Sequence, residues 1–148
     1  MPRAQKKTIV PAPQDQVFDY VSTRANAESF VPSLKVHDVV GPDGLGQRWQ
    51  WEYRVLGIPV RGEAEMVAFD PPHAHTFKTT GMVPSTWTYA VAPVDAQSSE
   101  LTLTVDYELP DSILGRLADA LAVGPMNEAQ ADRIVANVRE HFTNKGAS

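Results

Sequence analysis

Five strand-like segments follow one another between residues 47 and 109, and this run constrains the fold more than any other feature of the sequence. They cover residues 47–56, 60–69, 75–81, 86–91 and 100–109, and a shorter segment of the same kind covers residues 36–40. Turn-forming residues, mainly Gly, Pro, Asp and Ser, separate them. Parallel neighbours need crossover connections of a dozen or more residues, and these gaps are shorter. The pattern therefore predicts consecutive antiparallel strands.

The segment 101–109 has the cleanest alternation of apolar and polar residues. Its apolar side chains share one face: Leu101, Leu103, Val105, Tyr107 and Leu109. The other face holds Thr102, Thr104, Asp106 and Glu108. Such alternation is typical of a strand with one wet face and one covered face. We therefore expect Asp106 and Glu108 to face solvent, and we expect another element to cover the apolar face.

The C-terminal part of the chain has helical periodicity and can supply that cover. Apolar residues at helical spacing occupy positions 113–121, and Gly124-Pro125 then predicts a break, because Pro in a helix interior costs about 3 kcal/mol. A second helical segment follows and ends near Gly146. Its apolar stripe consists of Ile134, Val135, Val138 and Phe142. This long helix is predicted to pack on the sheet.

The start of the chain predicts one short strand and two short helices. Residues 8–10 form a short apolar run, and Pro13 suits the first turn of a helix that ends near residues 22–23. A second short helix is predicted over residues 26–30 and is stopped by Pro32. We expect residues 1–6, which carry the basic run of the N-terminus, and residues 144–148 to be flexible tails.

Composition excludes several classes of protein. The chain has 148 residues and no cysteine, which predicts a single domain over residues 1–148 without disulfides or thiolate metal sites. Its net charge is −5 and its basic residues are scattered, whereas nucleic-acid-binding proteins usually carry clustered positive charge. No stretch approaches the roughly 20 apolar residues of a membrane span, and the start lacks the apolar core of a secretory signal. We expect a soluble cytoplasmic protein, monomeric or homodimeric.

Few residues are candidates for metal or acid–base chemistry. His73 and His75 lie two residues apart and could begin a metal site, but zinc needs further ligands and no acidic residue is obviously placed with them. Glu63 and Glu65 share a strand face with Arg61, which indicates a solvated face. No nucleophilic triad, phosphate-binding glycine loop or metal-binding helix motif is present. The sequence therefore predicts no metal and no cofactor.

The segment 47–56 places three large aromatic residues on one face. These are Trp49, Trp51 and Tyr53, and the matching face of the next segment carries smaller or slender residues: Val60, Gly62, Ala64 and Met66. Large residues opposite small ones keep the packed volume constant and can shape a pocket wall, although aromatic residues can also simply fill a core. We expect Glu52 to pair with Arg61, because pairing Val55 with Val60 would place like charges opposite each other.

Together, these features resemble a known superfamily. The opening pattern consists of Ile9-Val10, Pro13, Val17-Phe18, Val21, Asn26, Phe30 and Pro32. With the turn Phe69-Asp70-Pro71-Pro72 and a final helix after LTLTVDYELP, it is similar to the START/Bet v 1-like (SRPBCC) superfamily, and most to its polyketide cyclase/dehydrase and lipid-transport group. Gly124-Pro125-Met126 also resembles a stretch in some members, a few of them described as toxins.

The resemblance implies an α+β fold of the helix-grip type. In that fold a seven-stranded antiparallel sheet curls around a long C-terminal helix, and the cavity between them binds lipids, sterols, polyketides or quinones. No motif in this chain transfers a catalytic residue from the family.

The predicted ligand-binding residues are the inward-facing positions of the strands and of the last helix. They are Trp49, Trp51, Tyr53, Gly62, Ala64, Met66, Phe77, Trp87, Tyr89, Leu103, Val105, Tyr107, Ile134 and Val138. The best candidates for inward polar groups are Tyr53, Tyr89, Tyr107 and His75, and the weak catalytic candidates are Tyr53, His75 and Tyr107. Loops near residues 57–60 and 81–85 are predicted to gate the cavity.

Three hypotheses for function follow. The first is a non-enzymatic carrier or sensor whose partner is a small hydrophobic or aromatic molecule. The second is a polyketide cyclase/dehydratase-type enzyme that uses tyrosine and histidine groups of the cavity. The third is an interaction module with a toxin-like or chaperone-like role, which would need an exposed apolar patch.

Overall fold

Seven strands form one antiparallel sheet in the computed structural model of the protein, which describes residues 3–55, 58–81, 84–107 and 128–146. The strands are β1 (Arg3–Val10), β2 (Lys35–Val40), β3 (Arg48–Val55), β4 (Ile58–Asp70), β5 (Ala74–Gly81), β6 (Ser85–Asp95) and β7 (Ser98–Tyr107). Their order across the sheet is β1-β7-β6-β5-β4-β3-β2. Each strand from β2 to β7 is hydrogen-bonded to its neighbour in sequence, and β1 closes onto β7.

The helical elements cover one face of this sheet. They are α1 (Gln14–Ser22), a 3₁₀ turn (Arg24–Asn26), α2 (Ala27–Phe30) and the long helix α3 (Glu128–Gly146). Helix α3 packs on β1, β7 and α2, while α1 packs on β6 and β7. The amide of Asn137 donates to the backbone oxygen of Phe30 at 3.0 Å and ties α3 to α2. The predicted helix-grip architecture is confirmed.

The apolar stripe of α3 is buried as predicted. The predicted residues Ile134, Val135, Val138 and Phe142 are all buried, and Ala131 is buried beside them. The predicted first half of the C-terminal helix, including the break at Gly124-Pro125, lies outside the described residues. None of the helices that the structure describes is both long enough and apolar enough to cross a membrane.

The register between β3 and β4 is the predicted one. Glu52 is paired with Arg61, and their side chains lie 3.9 Å apart. Trp49 and Trp51 then stand opposite Ala64 and Gly62, so that a large residue meets a small one at both positions. A Cβ atom added to Gly62 would lie only 2.8 Å from the Trp51 ring. An even closer clash would be with the backbone oxygen of Thr80 on β5. The glycine is therefore required by the close approach of the β5 backbone as well as by the packing of the indole.

The alternation of β7 also holds. Its apolar residues Leu101, Leu103 and Val105 are buried, and Tyr107 is half-buried. Asp106 lies on the opposite, solvent-accessible face as predicted, while Glu108 and Leu109 lie outside the described residues.

The first strand is longer than predicted. Because β1 begins at Arg3 and not at residue 8, residues 3–6 are part of the sheet, although the sequence suggested a tail. Ala4 is fully buried opposite Val105, and the Arg3 guanidinium binds the Asp106 carboxylate through Nε at 2.6 Å and Nη2 at 3.2 Å. The basic residues concealed this strand, since its pairing partner lies about a hundred residues away in the chain.

Candidate functional site

A small cavity lies between the inner face of the sheet and the segment that carries the 3₁₀ turn and α2. Its volume is about 20 Å³, room for about one water molecule. Strands β3, β5 and β6 form its floor, and the segment from the end of α1 to Leu34 forms its roof. Its lining residues are Val21, Arg24, Ala27, Phe30, Val31, Leu34, Trp49, Trp51, Tyr53, Phe77, Thr79, Trp87 and Tyr89.

Stacked aromatic rings form the walls of this cavity. The rings of Phe77 and Trp87 are nearly parallel, with centroids 5.8 Å apart, and those of Tyr53 and Trp87 are nearly parallel at 6.5 Å. Trp49 meets Phe77 edge-on at 5.1 Å. Flat rings in this arrangement offer surfaces on which a planar apolar molecule can stack.

Hydrogen bonds within the protein already use two of the indole N–H groups. Trp51 Nε1 donates to the backbone oxygen of Glu63 at 3.1 Å, and Trp87 Nε1 donates to Ser85 Oγ at 3.0 Å. Ser85 Oγ in turn lies 2.6 Å from Thr79 Oγ1. These contacts fix the indole orientations, so the two tryptophans provide apolar surface more than free donors.

Arg24 brings a positive charge into the cavity. Helix α1 ends at Ser22, and the carboxylate of Asp43, in the β2–β3 connection, accepts a hydrogen bond from the backbone N–H of Arg24 at 3.0 Å. The same Asp43 oxygen accepts from the amide of Gln47 at 3.0 Å. Asp43 holds the backbone of Arg24 where the 3₁₀ turn begins in the roof of the cavity. The side chain of Arg24 extends from there into the cavity.

The guanidinium group of Arg24 is buried and incompletely paired. The residue is only 6% exposed, and the guanidinium carbon lies 3.6 Å above the Trp49 ring, a cation–π contact. Its Nε and Nη2 atoms have no hydrogen-bond partner in the described parts of the chain. Burial lowers the pKa of Arg24 to about 10, so the group is still a cation at neutral pH. Unpaired buried donors are rare in folded proteins and call for an explanation.

Two tyrosines of the cavity remain neutral at physiological pH. Burial raises the pKa of both Tyr53 and Tyr89, and the charge of Arg24 offsets this only in part. Phenol groups in this state can donate a hydrogen bond or a proton but cannot act as bases. The cavity therefore combines one cation with two neutral hydroxyl groups.

His75 is buried behind the cavity and is not among its lining residues. Its ring stacks on Tyr89 with centroids 5.1 Å apart, and its Nε2 atom lies 3.3 Å from the backbone oxygen of Val21. Its Nδ1 atom has no partner in the described structure. Burial, reinforced by the charge of Arg24, lowers the pKa of His75 to about 4, so the ring is neutral at pH 7.

An open surface groove shares the lining residue Arg24 with the cavity. Its volume is about 430 Å³. The groove runs between the 3₁₀ turn and the β2–β3 connection. Its other lining residues are Ala25, Glu28, Val36, Val39, Gly41, Pro42, Asp43 and Gln47. Arg24 thus stands at the boundary between solvent and the interior.

A second groove of about 570 Å³ lies on the outer face of the sheet and has a different character. Exposed side chains of both signs line it, among them Arg48, Glu63, Glu65 and Lys78. The predicted solvated face is confirmed here. His73 is exposed in the turn before β5, and the described residues contain no group of three side chains that could hold a metal ion.

The structure brings together part of the predicted set of ligand-binding residues. Six of them line the cavity: Trp49, Trp51, Tyr53, Phe77, Trp87 and Tyr89. Six are buried but are not among the lining residues: Ala64, Met66, Leu103, Val105, Ile134 and Val138. Gly62 and Tyr107 are half-buried and also lie outside the lining. Whether any of these residues binds a ligand remains a prediction, as do the catalytic roles of Tyr53, His75 and Tyr107.

Sequence reasoning missed Arg24 and Thr79 among the polar residues of the cavity. Arg24 lies between two helical segments in a polar stretch, where an arginine is normally exposed. The inward set of β5 contains Thr79, because it alternates with His75 and Phe77, so the period of two could have placed it. The predicted gate residues 57 and 82–83 lie outside the described residues.

Comparison with known proteins identifies the family. A family model described as polyketide cyclase / dehydrase and lipid transport matches residues 1–143. The chain belongs to this family. The polyketide cyclase/dehydrase and lipid transport family binds small hydrophobic ligands, and the predicted recognition is confirmed. No curated protein matches the chain in sequence.

Several solved structures share the fold of this family member. A protein from Thermus thermophilus has 20% identity and a TM-score of 0.79, over 97% of this chain and 99% of the other. The Zhui aromatase/cyclase from a Streptomyces species has 16% identity and a TM-score of 0.78, over 98% and 95%. A point mutant of norcoclaurine synthase from Thalictrum flavum has 19% identity and a TM-score of 0.66, over 95% of each chain. At such identities the likeness shows the fold alone.

Proposed function

We propose that the protein binds a small planar hydrophobic molecule in the cavity above β3, β5 and β6 and acts as a carrier or sensor of that molecule. The observation that carries this proposal is a set of flat aromatic walls around a buried guanidinium whose Nε and Nη2 atoms have no hydrogen-bond partner in the described structure. A core that only has to be stable gains from apolar packing and does not need an unpaired charge. The family and its hydrophobic ligands support the same interpretation.

The present cavity holds about one water molecule, so a ligand has to displace part of its roof. The roof is a good candidate for movement, because α2 has only four residues and is joined to β2 by a short turn. The groove that shares Arg24 with the cavity lies directly beside this roof. We propose that the ligand enters between the 3₁₀ turn and the β2–β3 connection.

Binding is favoured over catalysis by the titratable groups of the lining. Those in the described structure are Arg24, Tyr53 and Tyr89, and none of the three is a base at neutral pH. General base catalysis needs such a group within hydrogen-bond reach of the substrate. His75 is neutral at pH 7 but hydrogen-bonds the backbone of Val21 behind the wall.

A cyclase/dehydratase activity is the second candidate. One observation favours it: two neutral phenols and a cation face the same cavity, and together they could polarise a carbonyl group and donate a proton to it. Conversion of a short poly-β-keto thioester to an aromatic product, abolished in Tyr53→Phe while binding persists, would support this activity. A Tyr53→Phe change that alters affinity alone supports the carrier.

The carrier proposal can be tested with a neutral probe. The chain has three tryptophans and all of them line the cavity, so the three indole N–H signals in an NMR spectrum report on this site. We expect titration with naphthalene-2-carboxamide or 1-indanone to shift these signals in a saturable way. Signals of the exposed β6–β7 turn, such as those of Ala96 and Gln97, should not move.

Two matched variants complete this test. Ala27 is buried and lines the cavity, so Ala27→Leu fills the available space and should abolish the saturable shift. Ala92 is exposed on β6, and Ala92→Leu should bind the probe like the parent protein. Indole signals that do not respond to either probe, or unchanged binding by a folded Ala27→Leu protein, would contradict the proposal.

A further inference from the structure

We infer that the ligand of this cavity carries a carboxylate group, which the Nε–Nη2 edge of Arg24 binds with two parallel hydrogen bonds. This inference rests on the proposed binding function and names the chemical class of the ligand, an aromatic carboxylic acid. The deciding feature is a juxtaposition: an unpaired guanidinium edge lies at a cavity with flat aromatic walls.

The two unpaired atoms of Arg24 are the two that form one edge of the guanidinium. Nε and Nη2 each carry an N–H on the same side of the planar group, and this spacing matches the two oxygens of a carboxylate. The same protein uses this edge elsewhere. Arg3 binds the Asp106 carboxylate through Nε at 2.6 Å and through Nη2 at 3.2 Å. In the cavity, Arg24 presents the same two donors, Nε and Nη2, and no acceptor from the described residues binds them.

The two acidic residues that line the groove together with Arg24 are engaged with other donors. Asp43 accepts from the backbone N–H of Arg24 and from the side chain of Gln47, each at 3.0 Å. Glu28 also lines the groove, and its carboxylate accepts from the backbone N–H of Val36 at 3.1 Å. Neither carboxylate is hydrogen-bonded to Arg24 Nε or Nη2. The described residues therefore supply no acceptor for this edge, and we infer that a ligand supplies it.

The surroundings of the guanidinium favour a planar acid. The Trp49 ring covers one face of the group at 3.6 Å, and the Phe77 ring centroid lies 5.3 Å from it. An acceptor therefore approaches in the guanidinium plane, and an aromatic ring in the same plane as its carboxylate can lie between the cavity walls once the roof has moved. Two neutral phenols, Tyr53 and Tyr89, add donors but no negative charge that would repel the ligand.

The experiment compares two ligands of equal shape and different charge. Naphthalene-2-carboxylate and naphthalene-2-carboxamide are titrated into the protein at neutral pH by isothermal calorimetry. We expect the carboxylate to bind about tenfold or more tightly, the difference typical of a charged hydrogen-bonded pair. Equal affinity, or a preference for the amide, would overturn the inference and leave the carrier proposal intact. If neither probe binds, the carrier proposal fails first and the inference fails with it.

Three variants show whether Arg24 is the origin of the preference. Arg24→Met removes the charge at similar length, and we expect it to bind both probes about equally. Arg24→Lys keeps the charge without the paired edge and should retain only part of the preference. Arg61 is exposed on the outer face and paired with Glu52, so Arg61→Met should keep the full preference. The full preference in a folded Arg24→Met protein would place the carboxylate elsewhere and refute the assignment.

Discussion

Acidification should destabilise this protein through His75, and the loss can be worked out from the structure. The ring lies in the core, with one nitrogen against the backbone oxygen of Val21 and the other without a partner in the described structure. Its pKa is lowered from 6.5 to about 4. Between these values the unfolded chain binds more protons than the folded one, so stability falls as the pH falls from about 6.5 to about 4.

The size of this effect follows from the difference between the two pKa values. Lowering the pKa from 6.5 to about 4 corresponds to about 3 kcal/mol, and most of it, roughly 2.5 kcal/mol, should be lost by about pH 4.5. Above about pH 7.5 the imidazole is neutral in both states and its contribution no longer varies. The loss is a substantial fraction of the stability of a single domain, typically about 5–15 kcal/mol.

The assay is urea unfolding at about pH 7.5 and about pH 4.5 for the parent protein and for His75→Gln. Glutamine does not titrate and can still donate to Val21, so any cost of the substitution should be equal at both pH values, and the pH-dependent part should disappear. We expect the variant to lose roughly 2.5 kcal/mol less than the parent between the two pH values. His37→Gln is the matched control, because His37 is exposed on β2 and the substitution leaves His75 and its surroundings in place, so this variant should lose as much stability as the parent.

Two results would refute this reasoning. One is an equal pH-dependent loss in the parent and in His75→Gln, which would assign the effect to the carboxyl groups of the protein. The other is an NMR titration in which the His75 ring of the folded protein gains its proton near pH 6.5. Either result would mean that the buried environment does not penalise the charged imidazole as the contacts imply.

Three further substitutions should change stability in predictable directions. Arg24→Met replaces an incompletely paired buried cation with an apolar side chain and should stabilise the ligand-free protein by about 1–3 kcal/mol. Calorimetry should then show a midpoint of thermal unfolding that is higher by roughly 3–10 °C, and an unchanged or lower midpoint would contradict this prediction. Gly62→Ala places a methyl group against the backbone oxygen of Thr80 and 2.8 Å from the Trp51 ring, and it should cost about 2–4 kcal/mol in urea unfolding. A cost below about 1 kcal/mol would show that β4 and β5 move apart locally with little loss of stability. Ser99→Ala removes a buried 2.7 Å hydrogen bond to the backbone oxygen of Ala12 and should cost about 1 kcal/mol by the same measurement. An unchanged free energy of unfolding in this variant would contradict the prediction.

Local sequence patterns were sufficient for most of the sheet. Alternation of apolar and polar residues places Leu101, Leu103 and Val105 inside, and charge pairing selects the register in which Glu52 faces Arg61. Both are properties of neighbours along the chain or across one short turn. The sequence predicts a β1 that is too short, because its first residues are held by contacts with a distant part of the chain. Arg3 is in the sheet because of a distant partner on β7, and nothing in its local sequence indicates that contact.

The candidate site was predictable only where it depends on the same alternation. Trp49 and Tyr53 were placed on the inner face by their period of two, and they do line the cavity. The inward position of Arg24 depends instead on Asp43 and Trp49, which are far away in sequence and reach it only in the folded chain. A residue between two short helices has no periodic pattern that distinguishes an inward arginine from an exposed one.

The balance of energies at Arg24 decides between a structural role and a binding role. The lowering of the Arg24 pKa corresponds to a free-energy cost of about 3 kcal/mol for burying the charged guanidinium. The cation–π contact with Trp49 offsets about 0.5–2 kcal/mol of this cost. In the ligand-free protein the guanidinium is therefore a net cost, which an apolar residue of the same length would avoid. A carboxylate ligand would supply the missing acceptors and recover much of this cost on binding. It follows that stability and affinity for the acid should move in opposite directions in Arg24→Met, which should melt at a higher temperature and bind the carboxylate less tightly. If Arg24 had a purely structural role, its replacement would destabilise the protein and leave the affinity for the carboxylate unchanged. The two measurements on one variant therefore separate the two roles.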